Sequence, residues 1–341
     1  GPDQLVALAQ IEADLDNVRV AWHYYLDRRD AGALKKFSFT FWQLHWIRGW
    51  NLGGAALFGE LARALESIRG EPAESVAALA LTFQSYFMAW LGQAAKGYEL
   101  AEKSVAFLSK RANLEDLVFA YESLGVNAFF LQRIEEHLAS VNKMGDLSSQ
   151  VDDKWLIGLI SFARSLGLLT VGEFNEARQL GESNQQLYEE IGDQFGTTTA
   201  FIVRGHVAML GQQYAEARRL YLRSLAISEK IGFFYSWQTS TKYLGKVSLS
   251  LGKLAEAETH LLQSLRLAKE IGFLRDIINL LFEYARLQVA QGALVEAAEL
   301  MTLVIAHPAS QETTMFEGRI RDSAKELLAQ VEQTLPEHTF K

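Results

Sequence analysis

Apolar residues along this chain recur at helical spacing. Ile202, Val203, Val207 and Leu210 form one stripe, and Tyr214, Ala217, Leu220, Tyr221 and Leu225 form the next. Intervals of three and four residues place each set on one helix face. This two-stripe unit repeats. The phrases Gly172-Glu-Phe-Asn-Glu-Ala177, Gly211-Gln-Gln-Tyr-Ala-Glu-Ala217, Gly252-Lys-Leu-Ala-Glu-Ala257 and Gly292-Ala-Leu-Val-Glu-Ala297 set their Glu-Ala pairs at 176, 216, 256 and 296, a step of 40 residues. The same step run backward meets Glu136-His137, Lys96-Gly97 and Ala56-Leu57, and a second marker, Ile-Gly, ends at Gly192, Gly232 and Gly272. Glycines 172, 211, 252 and 292 are expected as left-handed stops after each first helix, and the Ile-Gly glycines as stops after each second.

Twelve positions before the Ala position of each second helix stands a small residue: Ser85, Gly125, Ser165, Gly205, Gly245 and Ala285. A small residue facing an Ala lets two helix axes approach closely, as a tight helical hairpin requires. That spacing resembles the tetratricopeptide repeat (TPR). The departures are a period of 40 where that family has 34, which implies a lengthened second helix, and the lack of the family's proline near the repeat end. In the repeat that starts near 115, Gln132 replaces the Gly and His137 the Ala, so that pair is expected to splay. The resulting fold is an all-α superhelical solenoid of TPR-like helix pairs. Residues 3–72 form divergent N-terminal helices, 73–310 six repeats with first helices starting near 75, 115, 155, 195, 235 and 275, and 311–341 a closing helix over roughly 312–334 with a tail. Leu327, Leu328 and Val331 would cover the last pair, since a solenoid must shield its apolar end.

Composition narrows the chemistry. Apolar residues make up 49% and charged residues 22%, with four prolines, which suits a folded chain with a real core. No signal-type segment and no run long enough to span a bilayer is visible, so a cytoplasmic location is expected. The opening Gly1-Pro2 reads as a cleavage scar, implying a piece of a longer polypeptide. With no cysteine, thiolate nucleophiles and Cys-ligated zinc are excluded. A formal charge of −8 without a basic arm disfavours direct nucleic acid contact. No phosphate-cradling Gly-x-x-x-x-Gly-Lys-Ser/Thr, Gly-x-Ser-x-Gly or His-Glu-x-x-His occurs, and the seven histidines lack ligand spacing. Neither cofactor, metal site nor enzymatic activity is therefore expected.

Ahead of the array, Glu12-Ala-Asp-Leu15-Asp-Asn17-Val18-Arg19-Val-Ala21-Trp22 precedes Arg29-Asp30, an aromatic stretch from Phe37 to Trp46, and Arg48-Gly49. This resembles the segment that follows the nucleotide-binding module in STAND-type signalling ATPases and large LuxR-type regulators. Here Val18 replaces a Leu, Tyr24 sits where a Trp is common and Gly53-Gly54 stands for Glu-Gly. A reading in which Asn17 and Arg19 only pack and cap the first helices stays open. The resemblance implies a sensor domain that binds a protein, peptide or small-molecule inducer and regulates an upstream nucleotide-binding module of the same polypeptide. The alternative is a constitutive TPR scaffold joining two proteins.

In stacked TPR-like pairs the first helices line the concave surface. Stepping by 40 gives the column Trp46, Tyr86, Val126, Leu166, His206, Lys246 and Arg286. One turn earlier lie Trp42, Thr82, Glu122, Phe162, Ile202, Lys242 and Phe282, and beyond them Thr239 and Asn279. The expected ligand site is the basic, polar end, His206, Thr239, Lys242, Lys246, Asn279 and Arg286, where several donors could hold an anionic group. The aromatic end, Trp42, Trp46 and Tyr86, is a second platform. Each set has a plain alternative: the cations pair with acids such as Glu283, and the aromatics are core.

Overall fold

The computed structural model describes residues 3–111, 113–150, 153–311, 313–314 and 318–334. Seventeen α-helices build the described chain. Helices α1 to α4 span Gln4–Ala13, Leu15–Asp27, Ala31–Ile47 and Asn51–Leu65. Six consecutive hairpins follow: α5 and α6 (Ala73–Trp90, Ala94–Leu108), α7 and α8 (Leu114–Phe130, Ile134–Ser148), α9 and α10 (Lys154–Thr170, Phe174–Glu190), α11 and α12 (Gln194–Leu210, Tyr214–Ile231), α13 and α14 (Phe234–Ser250, Leu254–Ile271), and α15 and α16 (Leu274–Gln291, Leu294–Ala306). The chain ends on α17 (Ile320–Glu332). No helix among the described residues is long and apolar enough to cross a membrane.

The hairpins close on the small residues. Ala177, Ala217, Ala257, Ala285 and Ala297 are completely buried. A methyl group at Gly205 or Gly245 would run into Tyr221 or Leu261 at 2.6 Å. In the first hairpin the Ser85 hydroxyl donates to the Gly97 carbonyl at 2.7 Å. The expected splaying of the α7–α8 pair does not occur. His137 Nδ1–H donates to the Gly125 carbonyl at 2.9 Å, so a buried imidazole bridges the two helices where the four later hairpins present an Ala methyl group. A carbonyl only accepts, which makes His137 the Nδ1–H tautomer and leaves Nε2 as a bare acceptor.

Left-handed residues recur at 92, 132, 172, 212, 252 and 292, an unbroken step of 40. Four are glycine; Gln132 and Gln212 adopt the conformation without being so. The expectation for Gly211 is therefore corrected: its φ is −78°, and the turn passes to Gln212 at φ 57°. Backbone geometry keeps the period where the glycine slips by one position. Gly192, Gly232 and Gly272 are left-handed as expected.

At the C-terminal end, α17 starts at Ile320, later than the expected 312. Residues before it form a short 3-10 turn, Pro308–Gln311, and a two-rung ladder pairing Thr313–Thr314 with Gly318–Arg319. Arg321 ties this segment down, donating to Ser310 Oγ at 3.0 Å and to the His307 carbonyl at 3.1 Å. Leu327, Leu328 and Val331 pack against Ala285, Ala297, Ala298 and Met301.

The solenoid also meets itself. Gln4 donates to Asp193 Oδ1 at 2.9 Å and accepts from the Gln194 backbone N–H at 2.7 Å. Arg48, held by Glu12, donates to the carbonyls of Ile231 and Gly232 at 3.0 and 2.7 Å. Leu8, Leu44 and Ile47 share a core with Phe195, Ile231 and Phe233. Gly49, left-handed at φ 67°, lets the chain pass so close to Ile271 that a methyl group would sit 2.5 Å from its Cγ2. One superhelical turn is thereby closed into a ring, and the concave face becomes the wall of an interior cavity.

Candidate functional site

The cavity holds about 1260 Å³ of empty space, including its open mouth. Every odd-numbered helix from α3 to α15 contributes: Trp46 from α3, Tyr86 and Trp90 from α5, Glu122 and Val126 from α7, Phe162 and Leu166 from α9, His206 from α11, Tyr235 and Lys242 from α13, and Arg275 from α15. Aromatic contacts between distant repeats seal one side. The Trp90 indole lies flat on Phe273 with centroids 5.3 Å apart, and meets Phe130 and Tyr235 edge-on at 4.9 and 5.2 Å. Trp46 packs on Phe233 at 4.8 Å, and the Arg275 guanidinium sits 3.9 Å above Phe130.

Five of the nine expected site residues line this space: Trp46, Tyr86, His206, Thr239 and Lys242. Trp42 does not. It is fully buried behind Trp46, stacked on Trp46 and Phe83 at 5.7 and 5.5 Å, because the α3 face that carries it packs on α5. Asn279 is likewise buried and lies outside the lining, as do Lys246 and Arg286. The cations of the expected basic end are matched with acids. Lys242 Nζ is 3.2 Å from Asp276, Lys246 Nζ is 3.1 Å from Glu283, and Arg286 Nη1 is 2.8 Å from the other Glu283 oxygen. His206 Nδ1 shares a 2.7 Å hydrogen bond with the Tyr221 hydroxyl. This end is thus an ion-pair network with its own counter-charges. A buried cation already paired offers an incoming anion little new interaction, because the existing pair would have to be broken.

The polar groups that lack partners lie elsewhere in the lining. Glu122 is buried, and its Oε2 has no hydrogen-bond partner among the described residues. Burial raises its pKa to about 8, so the acid is mostly protonated at neutral pH. The indole N–H groups of Trp46 and Trp90 and Nε2 of His137 are also without partners among the described residues. Burial keeps His137 below its ordinary pKa, and hence neutral. Two donors and two groups able to accept thus belong to residues that wall an aromatic-lined space. Unsatisfied buried groups are costly, and a ligand that pairs them recovers that energy.

Glu122 was visible in the sequence as the lone acid of its concave column, between Thr82 and Phe162. Trp90, Phe130, Tyr235, Phe273 and Arg275 gave no such signal, since ring closure brings them together from different repeats. Among the described residues no group of three or more His, Asp or Glu is placed to hold a metal ion.

No family model matches the chain, and no curated protein does. Solved structures do. A Rap protein complexed with Competence and Sporulation Factor aligns over 97% of this chain and 94% of its own, with a TM-score of 0.60 at 15% identity. NprR in complex with its cognate peptide NprX aligns over 95% of this chain and 84% of its own, with a TM-score of 0.59 at 15% identity. A STAND protein with a tetratricopeptide repeat sensor from Pyrococcus horikoshii aligns over 81% of this chain with a TM-score of 0.54 at 14% identity, and the chain spans 41% of that protein's length. These likenesses carry the fold: the chain is an all-α solenoid of TPR-like helix pairs.

Proposed function

We propose that this chain is a sensor domain whose cavity takes up a short, largely apolar peptide and thereby regulates an attached STAND-type signalling module. The observation that carries the reading is an aromatic-walled cavity whose lining residues include two unpartnered indole N–H groups, an unpartnered carboxyl oxygen and an unpartnered imidazole nitrogen. A peptide brings both kinds of complement, carbonyls for the donors and N–H groups for the acceptors, on a backbone with apolar side chains. Two similar folds were solved with a signalling factor or a peptide, and a third is the sensor of a STAND protein.

Transmission follows from where the ligand would sit. It would touch α3 and α5 on one side of the closure and α13 and α15 on the other. A ligand that binds the closed ring better than an opened one shifts the population toward closure, by no more than its difference in affinity for the two. Exposed Val6, Val20, Tyr24 and Leu52 on the first helices give an attached module apolar surface to sense that change.

The test is a screen of short blocked peptides against the isolated chain by tryptophan fluorescence and calorimetry. Val126→Trp would fill the cavity without disturbing the closure contacts. Peptides that bind the parent chain are expected to lose about tenfold or more in affinity, about 1.4 kcal/mol, in this variant. Ala163→Trp, from the same lining, provides an independent block if the first variant folds poorly. Unchanged binding to a folded, cavity-filled variant would show that the ligand site lies elsewhere.

A further inference from the structure

Several partly buried charges elsewhere in the molecule are paired. Lys35 pairs with Asp116 at 2.8 Å, Arg218 with Glu256 at 2.7 Å, and Arg48 with Glu12 and two carbonyls. Glu122 is different: it is buried, its Oε2 is without a partner among the described residues, and it is part of the cavity wall.

We propose that the cavity anchors a cationic group of its ligand, an ammonium or guanidinium, on the Glu122 carboxyl, within the aromatic lining that Trp46, Tyr86 and Phe162 supply. The proposal deepens the peptide reading above and rests on it. Three features converge. A carboxyl withdrawn from water and left unpaired is strongly stabilised by any cation that can reach it. Aromatic faces accept ammonium and guanidinium groups but repel carboxylates, because their π faces are negative. The cavity's other charged groups, Lys242, Arg275 and Asp276, all come from α13 and α15, and Lys242 already has Asp276 as its partner. The preferred ligand charge is therefore the reverse of that expected from the column of lysines and arginine.

Binding a cation would ionise Glu122 and release its proton. Tyr86 on α5 and Tyr188 on α10 are close enough to feel its charge, and both are held neutral by burial. The remaining titratable groups of the lining are His137 on α8, neutral and bonded to Gly125, His206 on α11, Tyr235 and Tyr243 on α13 with Lys242, and the α15 pair Arg275 and Asp276.

Three blocked tripeptides test this: acetyl-Phe-Lys-Phe-amide and its counterparts with norleucine or Glu at the centre, titrated calorimetrically into the chain. The lysine probe is expected to bind about tenfold or more tighter than the norleucine probe, and the Glu probe weakest. Its affinity should rise toward pH 8, by up to about tenfold per pH unit, with a proton released into the buffer. Glu122→Gln should bring the lysine and norleucine probes to equal affinity and remove the pH dependence, while thermal unfolding shows the variant folded. If lysine and norleucine probes bind the parent chain equally, or if Glu122→Gln keeps the preference, the cation anchor is wrong and the peptide reading stands. If no probe binds, or binding survives Val126→Trp unchanged, the anchor and the peptide reading fall together.

Discussion

Glu122→Gln is expected to make the fold more stable at pH 8 by about 2–4 kcal/mol, and to change it little at pH 5. The Glu122 carboxyl titrates near 8 in the folded chain against 4.5 when unperturbed. Between those values the unfolded chain has released the proton that the folded chain still holds, so stability falls as pH rises, by about 1.4 kcal/mol per unit. Below the lower value both states are protonated and no penalty exists; above the upper value the penalty is complete. Gln carries the neutral shape at every pH and escapes it. The full difference of about 5 kcal/mol is an upper bound, because a carboxyl facing a cavity can recruit water as it ionises. Urea unfolding of both proteins at the two pH values measures the effect. A gain of equal size at both would mean that the variant acts through packing, and no gain at pH 8 would mean that the carboxyl is solvated or paired. The same substitution is predicted to weaken cation binding while strengthening the fold, a combination expected where a charge is retained for function at the expense of stability.

Trp90→Ala is expected to destabilise the chain by about 3–5 kcal/mol, the range for removing a large packed aromatic side chain. The indole joins α5 to Phe130 of α7, Tyr235 of α13 and Phe273 ahead of α15 through three ring contacts of 4.9 to 5.3 Å. Each such pair contributes about 0.5–1.5 kcal/mol beyond its buried area, and all three are lost together. Trp90→Phe should retain most of the stability by keeping a ring over Phe273. Equilibrium unfolding of the two variants decides the point. A loss below about 1 kcal/mol for the alanine variant would mean that the stack does not hold the ring closed.

The repeat was legible because each hairpin needs the same local devices: a small residue opposite an Ala, a left-handed turn and an apolar stripe. Those devices are short-range, so the 40-residue step shows in the sequence. Where the devices change, the geometry persists. Gln212 takes the left-handed position beside Gly211, and His137 replaces a methyl contact with a hydrogen bond to Gly125. The concave column was legible for Trp46, Tyr86 and His206, which line the cavity. Of its charges, the plain alternative named Glu283 as a partner, and the fold pairs Lys246 with that acid and Lys242 with Asp276. Ring closure was not legible at all. It depends on contacts between residues far apart in the chain, such as Arg48 with the Ile231 carbonyl, 183 positions away. The Arg48-Gly49 dipeptide stood out as part of the STAND-like resemblance, yet only the fold shows its structural work: the guanidinium binds the turn after α12, and the glycine gives room to Ile271.

The cavity exists only because the two ends of the superhelical turn meet, and a designed disulfide tests that meeting directly. A Cβ at Gly49 would lie 3.2 Å from the Cβ of Ile271, close to the separation that a disulfide bridges. The chain has no cysteine of its own, so a Gly49→Cys, Ile271→Cys variant carries two thiols and no others. Under mild oxidation the folded variant is expected to form the intramolecular bond in nearly every molecule, read as loss of free thiol and faster migration of the denatured monomer. Thiols that stay free in the folded protein, or that link only between separate chains, would contradict the closed ring and the binding cavity built on it.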